Sequence, residues 1–216
     1  MTDPPVELIL ASASPRRREL IALLGIPFRV VSGHFEEPPP PCEPVALSDL
    51  VASLAEAKAI ATADQLRTGW VLAADTLVAL EDEFGVPLGK PVDEPDAFRM
   101  LSLLSGRAHT VFTGIALVPE WTEGGRPPPI MSVHKTRVWF RKLSDEIIRD
   151  YVATGEPMDK AGAYGAQGYA APFIERFEGD FHNVVGLPIC DVGRLLERAG
   201  LDWWRLRQRQ RVTASY

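Results

Sequence analysis

A chain of 216 residues with 46% hydrophobic and 24% charged side chains has apolar material for one sizeable core, which excludes wholesale disorder. Its 23 Lys and Arg against 29 Asp and Glu leave a net charge of −6, which speaks against stable nucleic-acid binding over a general basic surface. No apolar run is long enough to span a bilayer, Met1-Thr-Asp-Pro-Pro lacks a signal-peptide pattern, and the two cysteines, Cys42 and Cys190, lie far apart. A cytoplasmic domain with free thiols, no zinc cluster and no membrane contact is expected.

Val6–Ala11 is an apolar run of strand length. Ser14 and Pro15 then open a helix as cap and first-turn residue, with Leu20, Leu23 and Leu24 as its buried face and Gly25 just past its end. Phe28–Val31 reads as a second strand. Five prolines between Glu36 and Pro44 exclude regular structure there. A helix follows from about Ser48 to Asp64, with Leu50, Val51, Leu54 and Ala55 on one face. Trp70–Leu80 is almost continuously apolar, as in a strand buried on both faces. Glu83–Leu88 reads as a turn and Pro95–Leu104 as an amphipathic helix ended by Gly106. Two long strands, Thr110–Val118 and Val133–Phe140, flank a hairpin loop at Trp121–Pro129. Ser144 caps a helix whose first turn holds Asp145 and Glu146, the charge the macrodipole favours, and Gly155 stops it. Gly162, Gly165 and Gly168 punctuate an irregular segment before a strand near Phe173–Phe177 and a last helix over about Pro188–Ala199. Helices and strands alternate loosely, with adjacent strands late in the chain, so the expected class is α/β with a mixed sheet. Residues 1–216 read as one domain. Beyond about residue 201, Trp203-Trp204-Arg-Leu-Arg-Gln-Arg-Gln-Arg reads as a short surface extension, dispensable for catalysis, with both tryptophans packed on the domain.

Chemistry is concentrated at a few points. Ser12-Ala-Ser14-Pro-Arg16-Arg17-Arg18 lies on a strand-to-helix turn, where orphan N–H groups and the positive dipole end converge, and it adds two hydroxyls and three guanidinium groups. An anion there would offset the cost of cations in a helix's first turn. Arg18 reads as surface. Asp75 interrupts the apolar run in Ala73-Ala74-Asp75-Thr76, and a carboxylate buried there needs a partner or a metal. Lys58 alone reads as a solvated helix lysine, and Lys90 in Gly89-Lys90-Pro91 as a turn lysine, because the complete P-loop pattern is absent. Asp159-Lys160-Ala-Gly162-Ala-Tyr164, followed by Gln167-Gly168, puts an acid, a base and an amide into one glycine-rich loop that either approaches a ligand or merely turns. Several cations, a few carboxylates and no Ser-His-Asp or Cys-His arrangement suit a polyphosphate held by Arg and Lys, with Mg²⁺ held by acids.

The ordered blocks Leu8-Ile-Leu-Ala-Ser12-Ala-Ser14-Pro-Arg-Arg17, Lys58-Ala59, Ala74-Asp75-Thr76, Gly89-Lys90-Pro91, His109-Thr-Val-Phe-Thr113-Gly114, Asp159 to Gly168 and Asn183-Val-Val-Gly186-Leu-Pro188 resemble the Maf family of nucleotide pyrophosphatases. The resemblance covers about residues 8 to 190. It implies an elongated mixed-sheet α/β fold with a central cleft, similar to that of inosine-triphosphate pyrophosphatases. It implies hydrolysis of a nucleoside triphosphate to the monophosphate and pyrophosphate with a divalent cation, Mg²⁺ or Mn²⁺. Carried over by position, Ser12, Arg16, Arg17, Lys58, Lys90 and Lys160 hold phosphates, Asp75 is the proton acceptor or a metal ligand, and Glu37 and Asp159 are further metal partners. Thr76 and Gln167 stand where the family tracks base preference, and together with Arg16 the combination resembles the branch acting on dTTP and UTP. A 7-methyl-GTP pyrophosphatase, a phosphate-ligand sensor without turnover and a non-catalytic regulator of septum formation are the alternatives; a homodimer is left open.

Overall fold

The computed structural model describes residues 7–213 apart from positions 34, 37, 40 and 81. Strand β1 (Leu8–Ala11) leads through Ser14 into α1 (Pro15–Ala22), and β2 (Phe28–Val31) follows. The two-residue strand β3 (Val45–Ala46) leads into the long α2 (Leu47–Leu66). Then come β4 (Trp70–Ala79), β5 (Phe84–Gly85), α3 (Glu94–Leu104) and the antiparallel pair β6 (Ala108–Val118) and β7 (Ile130–Phe140). Helix α4 (Asp145–Ala153) is followed by three short 3₁₀ turns, then β8 (Ile174–Glu178), α5 (Phe181–Val185), α6 (Ile189–Arg198) and α7 (Trp203–Thr213).

Six strands form one mixed sheet in the order β2-β1-β4-β6-β7-β8, parallel from β2 to β4 and antiparallel onward. Strand pleating sorts the side chains between two layers. On one face Leu8, Leu10, Leu72, Ala74, Ile115 and Leu117 pack against Leu20, Ile21 and Leu24 of α1 and Val192, Leu195 and Leu196 of α6. On the other, Ile9, Val71, Ala73, Ala116 and Val118 meet Ala55, Ala59 and Ala63 of α2. Alanines let α2 lie close to the sheet, and Gly114 of β6 makes the closest approach, since a Cβ there would come within 2.4 Å of the Val51 carbonyl oxygen. A third apolar cluster, around Leu101, Phe140, Tyr151 and Phe173, joins α3 and α4 to the far end of the sheet.

Two features position the site. β1 pairs with β4 only as far as Leu72, so β4 runs on past the C-terminal end of its parallel neighbour. A crevice opens there, the usual place for a ligand in an open α/β sheet. Within it, the pleat sends Asp75 to the α2 face and Thr76 to the α1 face.

Several expectations need correction. Leu23 is 55% exposed, and Ile21 takes its place in the core. Only the Val51 and Ala55 part of the expected α2 face is fully buried, while Leu50 and Leu54 line the crevice. The segment expected as a plain turn over 83–88 contains β5, which pairs with β3. The C-terminal stretch is helical, with Trp203 against Gly193 but Trp204 52% exposed. No helix among the described residues is long and apolar enough to cross a membrane.

Candidate active site

The crevice is a cavity of about 710 Å³. Ser12, Arg16, Arg17, Lys58, Asp75, Thr76, Lys90, Asp159, Lys160 and Gln167 all line it, although they come from five separate stretches of sequence. Arg18 is exposed and is not among its lining residues. Glu37 lies outside the described residues, but its neighbours Phe35, Pro38 and Pro39 form part of the wall.

The strand-to-helix turn after β1 is built by its own hydroxyls. Ser14 caps α1 by accepting from the Arg17 N–H at 3.5 Å, and the Ser12 hydroxyl accepts from the Ser14 N–H at 3.2 Å. With Pro15 in the first turn, the chain enters the helix with Arg16 and Arg17 beside the cavity. The Arg17 Nε donates to the Gly186 carbonyl at 2.8 Å and its Nη2 to the Thr76 hydroxyl at 3.0 Å. The Arg16 Nη1 donates to Asp159 Oδ2 at 2.9 Å.

On the α2 side, Lys58 donates to Asp75 Oδ1, and the Phe35 ring lies 5.7 Å from the ammonium group. Lys58 is therefore not a solvated helix lysine: its side chain is 19% exposed and that of Asp75 8%. The partner that burial demands of Asp75 includes this ammonium group.

The third wall is the glycine-rich loop. Lys160 donates to Asp159 Oδ1 and to the Glu156 carbonyl, both at 2.6 Å. Burial pushes the Asp159 carboxyl up, but hydrogen bonds from Lys160 and Arg16 outweigh it and hold the group below its ordinary value. Two residues with no signal of their own in the sequence hold this loop. Glu156 accepts from the Tyr151 hydroxyl at 2.9 Å and from the Tyr169 N–H at 3.0 Å, and Tyr151 in turn accepts from the Gly165 N–H at 3.1 Å. Beneath it, Tyr164 bonds to His109 at 2.8 Å.

The arrangement presents one buried carboxylate, a ring of cations and a short apolar wall of Phe35, Leu50, Leu54 and prolines. That combination suits a polyanion with an apolar or aromatic group attached. Among the described residues no group of three or more His, Cys, Asp or Glu side chains forms a cage for a metal ion. A cation bound here would thus follow the Mg²⁺ pattern of one or two carboxylates completed by ligand phosphates and water.

The chain is similar to several known proteins. A dTTP/UTP pyrophosphatase from Moorella thermoacetica is 49% identical over 198 residues, 92% of this chain and 97% of the relative. One from Geobacter sulfurreducens is 47% identical over 193 residues, 89% and 96% of the two chains. Among solved structures, a nucleoside-triphosphatase/dITP/XTP pyrophosphatase from Mycobacterium abscessus aligns over 90% of this chain and 98% of its own, with 14% identity and a TM-score of 0.44. The family described as Maf-like protein matches residues 7–199, and the chain belongs to that family.

Proposed function

We propose that the protein is a nucleoside triphosphate pyrophosphatase that removes unwanted nucleotides, with dTTP and UTP as its preferred substrates. The observation that carries the reading is the buried Asp75–Lys58 pair on the floor of a cavity also lined by Arg16, Arg17, Lys90 and Lys160. The substrate choice rests on the relatives named dTTP/UTP pyrophosphatases at 43–49% identity.

In the reaction, a water oxygen bonds to the α-phosphorus and the bond from that phosphorus to the bridging oxygen breaks, releasing pyrophosphate and the nucleoside monophosphate. Asp75 orients the water and takes its proton, and Lys58, bonded to the carboxylate, fixes its orientation. Arg16, Arg17, Lys90 and Lys160 hold the phosphates and stabilise the charge that builds on the leaving pyrophosphate. Ser12 adds a hydroxyl at the turn. A divalent cation, Mg²⁺ or Mn²⁺, would be held by Asp75 and Asp159, with Glu37 as a further carboxylate, and would supply charge neutralisation on the phosphates. Nucleotide supply places the enzyme in the cytoplasm.

The test is pyrophosphate release from a panel of nucleoside triphosphates with Mg²⁺ or Mn²⁺. Release that is fastest from dTTP and UTP is expected, and no release from any of them would overturn the reading.

A further inference from the structure

We infer that Thr113 is a positioning residue for Arg17, acting through a one-way chain of hydroxyl hydrogen bonds that also commits Thr76 to the arginine rather than to the base. The inference rests on the function proposed above.

The chain starts at the Arg17 Nη2, which donates to Thr76 Oγ1 at 3.0 Å. Thr76 Oγ1 lies 3.0 Å from Thr113 Oγ1, its cross-strand neighbour in the β4–β6 register. Thr113 Oγ1 lies 3.1 Å from the Asn183 carbonyl oxygen. Counting protons fixes every direction. A carbonyl only accepts, so the single Thr113 proton goes to Asn183. Thr113 can then only accept from Thr76, whose single proton is thereby used. Thr76 in turn accepts from the guanidinium, which only donates. No hydroxyl in the chain can turn its proton elsewhere without breaking the bond it donates.

A second arm reaches the same guanidinium. The Asn183 carbonyl also accepts from the Gly186 N–H at 3.0 Å, and the Gly186 carbonyl accepts from the Arg17 Nε at 2.8 Å. Nε and Nη2 form one edge of the guanidinium, so both arms grip that edge and set the plane of the group. Both are rooted in Asn183, which is fully buried and whose amide donates to the Val111 carbonyl at 3.0 Å and the Thr136 hydroxyl at 2.9 Å. Thr113 is also fully buried, so it acts without touching a nucleotide.

One consequence separates this role from general stability: the effect must vanish when the arginine is absent.

The experiment is a double-mutant cycle of Thr113→Val, which keeps the shape and removes the hydroxyl, with Arg17→Ala. kcat/KM is read for dTTP and CTP, and thermal melting checks the fold. Thr113→Val should lower kcat/KM about tenfold for both nucleotides, the scale of one bond to a charged group. Thr113→Ser should restore most of that loss. In the Arg17→Ala background, Thr113→Val should change kcat/KM by less than about twofold. If Thr113→Val unfolds the protein, Thr76→Val enters the same cycle with the same expectations. Effects that multiply, or a serine that fails to rescue, would each overturn the inference. If the wild type hydrolyses no triphosphate, the functional reading fails by itself, and the cycle is then read on tripolyphosphate affinity by calorimetry.

Discussion

Lys58 of α2 and Asp75 of β4 form an ion pair across the gap between helix and sheet, and Gly114, the cross-strand partner of Asp75, leaves room for the helix backbone at Val51. A lysine and an aspartate that far out of water cost several kcal/mol each to desolvate, and their mutual attraction must repay it. The pair opens onto the cavity. Asp75→Asn keeps the shape and an acceptor oxygen while removing the charge. The expected result is a folded protein with turnover lowered at least ~10²-fold, as for loss of a general base or metal ligand. Pyrophosphate release together with a thermal melt checks it, and near wild-type turnover would make Asp75 a structural aspartate.

Arg17 and Arg18 are chemically identical neighbours in very different places. Arg17 is gripped at two nitrogens beside the cavity, while Arg18 is exposed and not among the lining residues. Arg17→Ala, and likewise Lys90→Ala at the same cavity, should lower kcat/KM about ten- to hundred-fold. Arg18→Ala should stay within a few-fold of wild type. Equal losses from the two arginines in parallel kinetics would contradict this placement.

The sequence makes some of this legible and hides the rest for physical reasons. Asp75 stands out because a charge inside a ten-residue apolar strand is costly and therefore informative. The Ser12–Arg17 turn is legible because capping and anion binding use the same backbone groups. Lys58 is hidden because a lysine among helix alanines looks the same whether it faces water or a buried acid. Thr113 is hidden because threonine is an ordinary strand residue whose hydroxyl gains meaning only from cross-strand register. The exposure of Leu23 follows from helical phase, since Leu20, Ile21 and Leu24 share the face turned to the core and Leu23, still helical in its backbone, lies off it.

Glu156 shows the same limit, since an acid beside a glycine reads as surface. Its carboxylate ties Tyr151, Tyr169 and, through Tyr151, Gly165 into one knot, and its carbonyl holds Lys160. A Cβ on Gly168 would come within 2.3 Å of this carboxylate, so the loop carrying Gln167 closes tightly over it. Glu156→Ala should lower kcat/KM about tenfold by releasing that loop, with Glu156→Gln losing less, because its one amide oxygen can still accept from Tyr169 while its N–H donates to the Tyr151 oxygen. Steady-state kinetics on the two variants checks the order, and equal losses would show that charge rather than loop anchoring is what counts.

His109 supplies a pH signature. The ring is almost wholly buried and burial lowers its pKa to about 3, so the folded protein keeps it neutral. Unfolding returns it to an ordinary histidine that protonates near pH 6.5. Between these values the unfolded chain binds a proton that the folded one refuses. Stability is therefore unaffected above about pH 6.5 and falls by up to about 1.4 kcal/mol per pH unit below it. His109→Gln, which removes the titration, should flatten the decline of melting temperature between about pH 6 and pH 4. Parallel melting curves for the two proteins give the comparison, and superimposable slopes would show that other groups govern acid unfolding.

The last question is which base enters. Gln167 lines the cavity from the loop that Glu156 anchors, as do Phe35 and the prolines from another stretch. A neutral amide offers both a donor and an acceptor, which matches the N3–H and carbonyl edge of uracil or thymine. A carboxylate at the same place would offer acceptors only and would suit a purine edge rich in N–H donors. A site built for matched hydrogen bonds discriminates strongly, because the wrong base leaves buried polar groups unpaired. With Thr76 committed to Arg17, the amide at 167 carries more of the choice. Gln167→Glu should therefore lower kcat/KM for dTTP and UTP about tenfold or more while leaving the phosphate contacts in place. The measurement is kcat/KM for dTTP, UTP, CTP, GTP and 7-methyl-GTP on wild type and variant. A wild-type preference for 7-methyl-GTP would overturn the assignment of the base while leaving pyrophosphate release intact. An unchanged dTTP:GTP ratio in the variant would move base recognition away from Gln167.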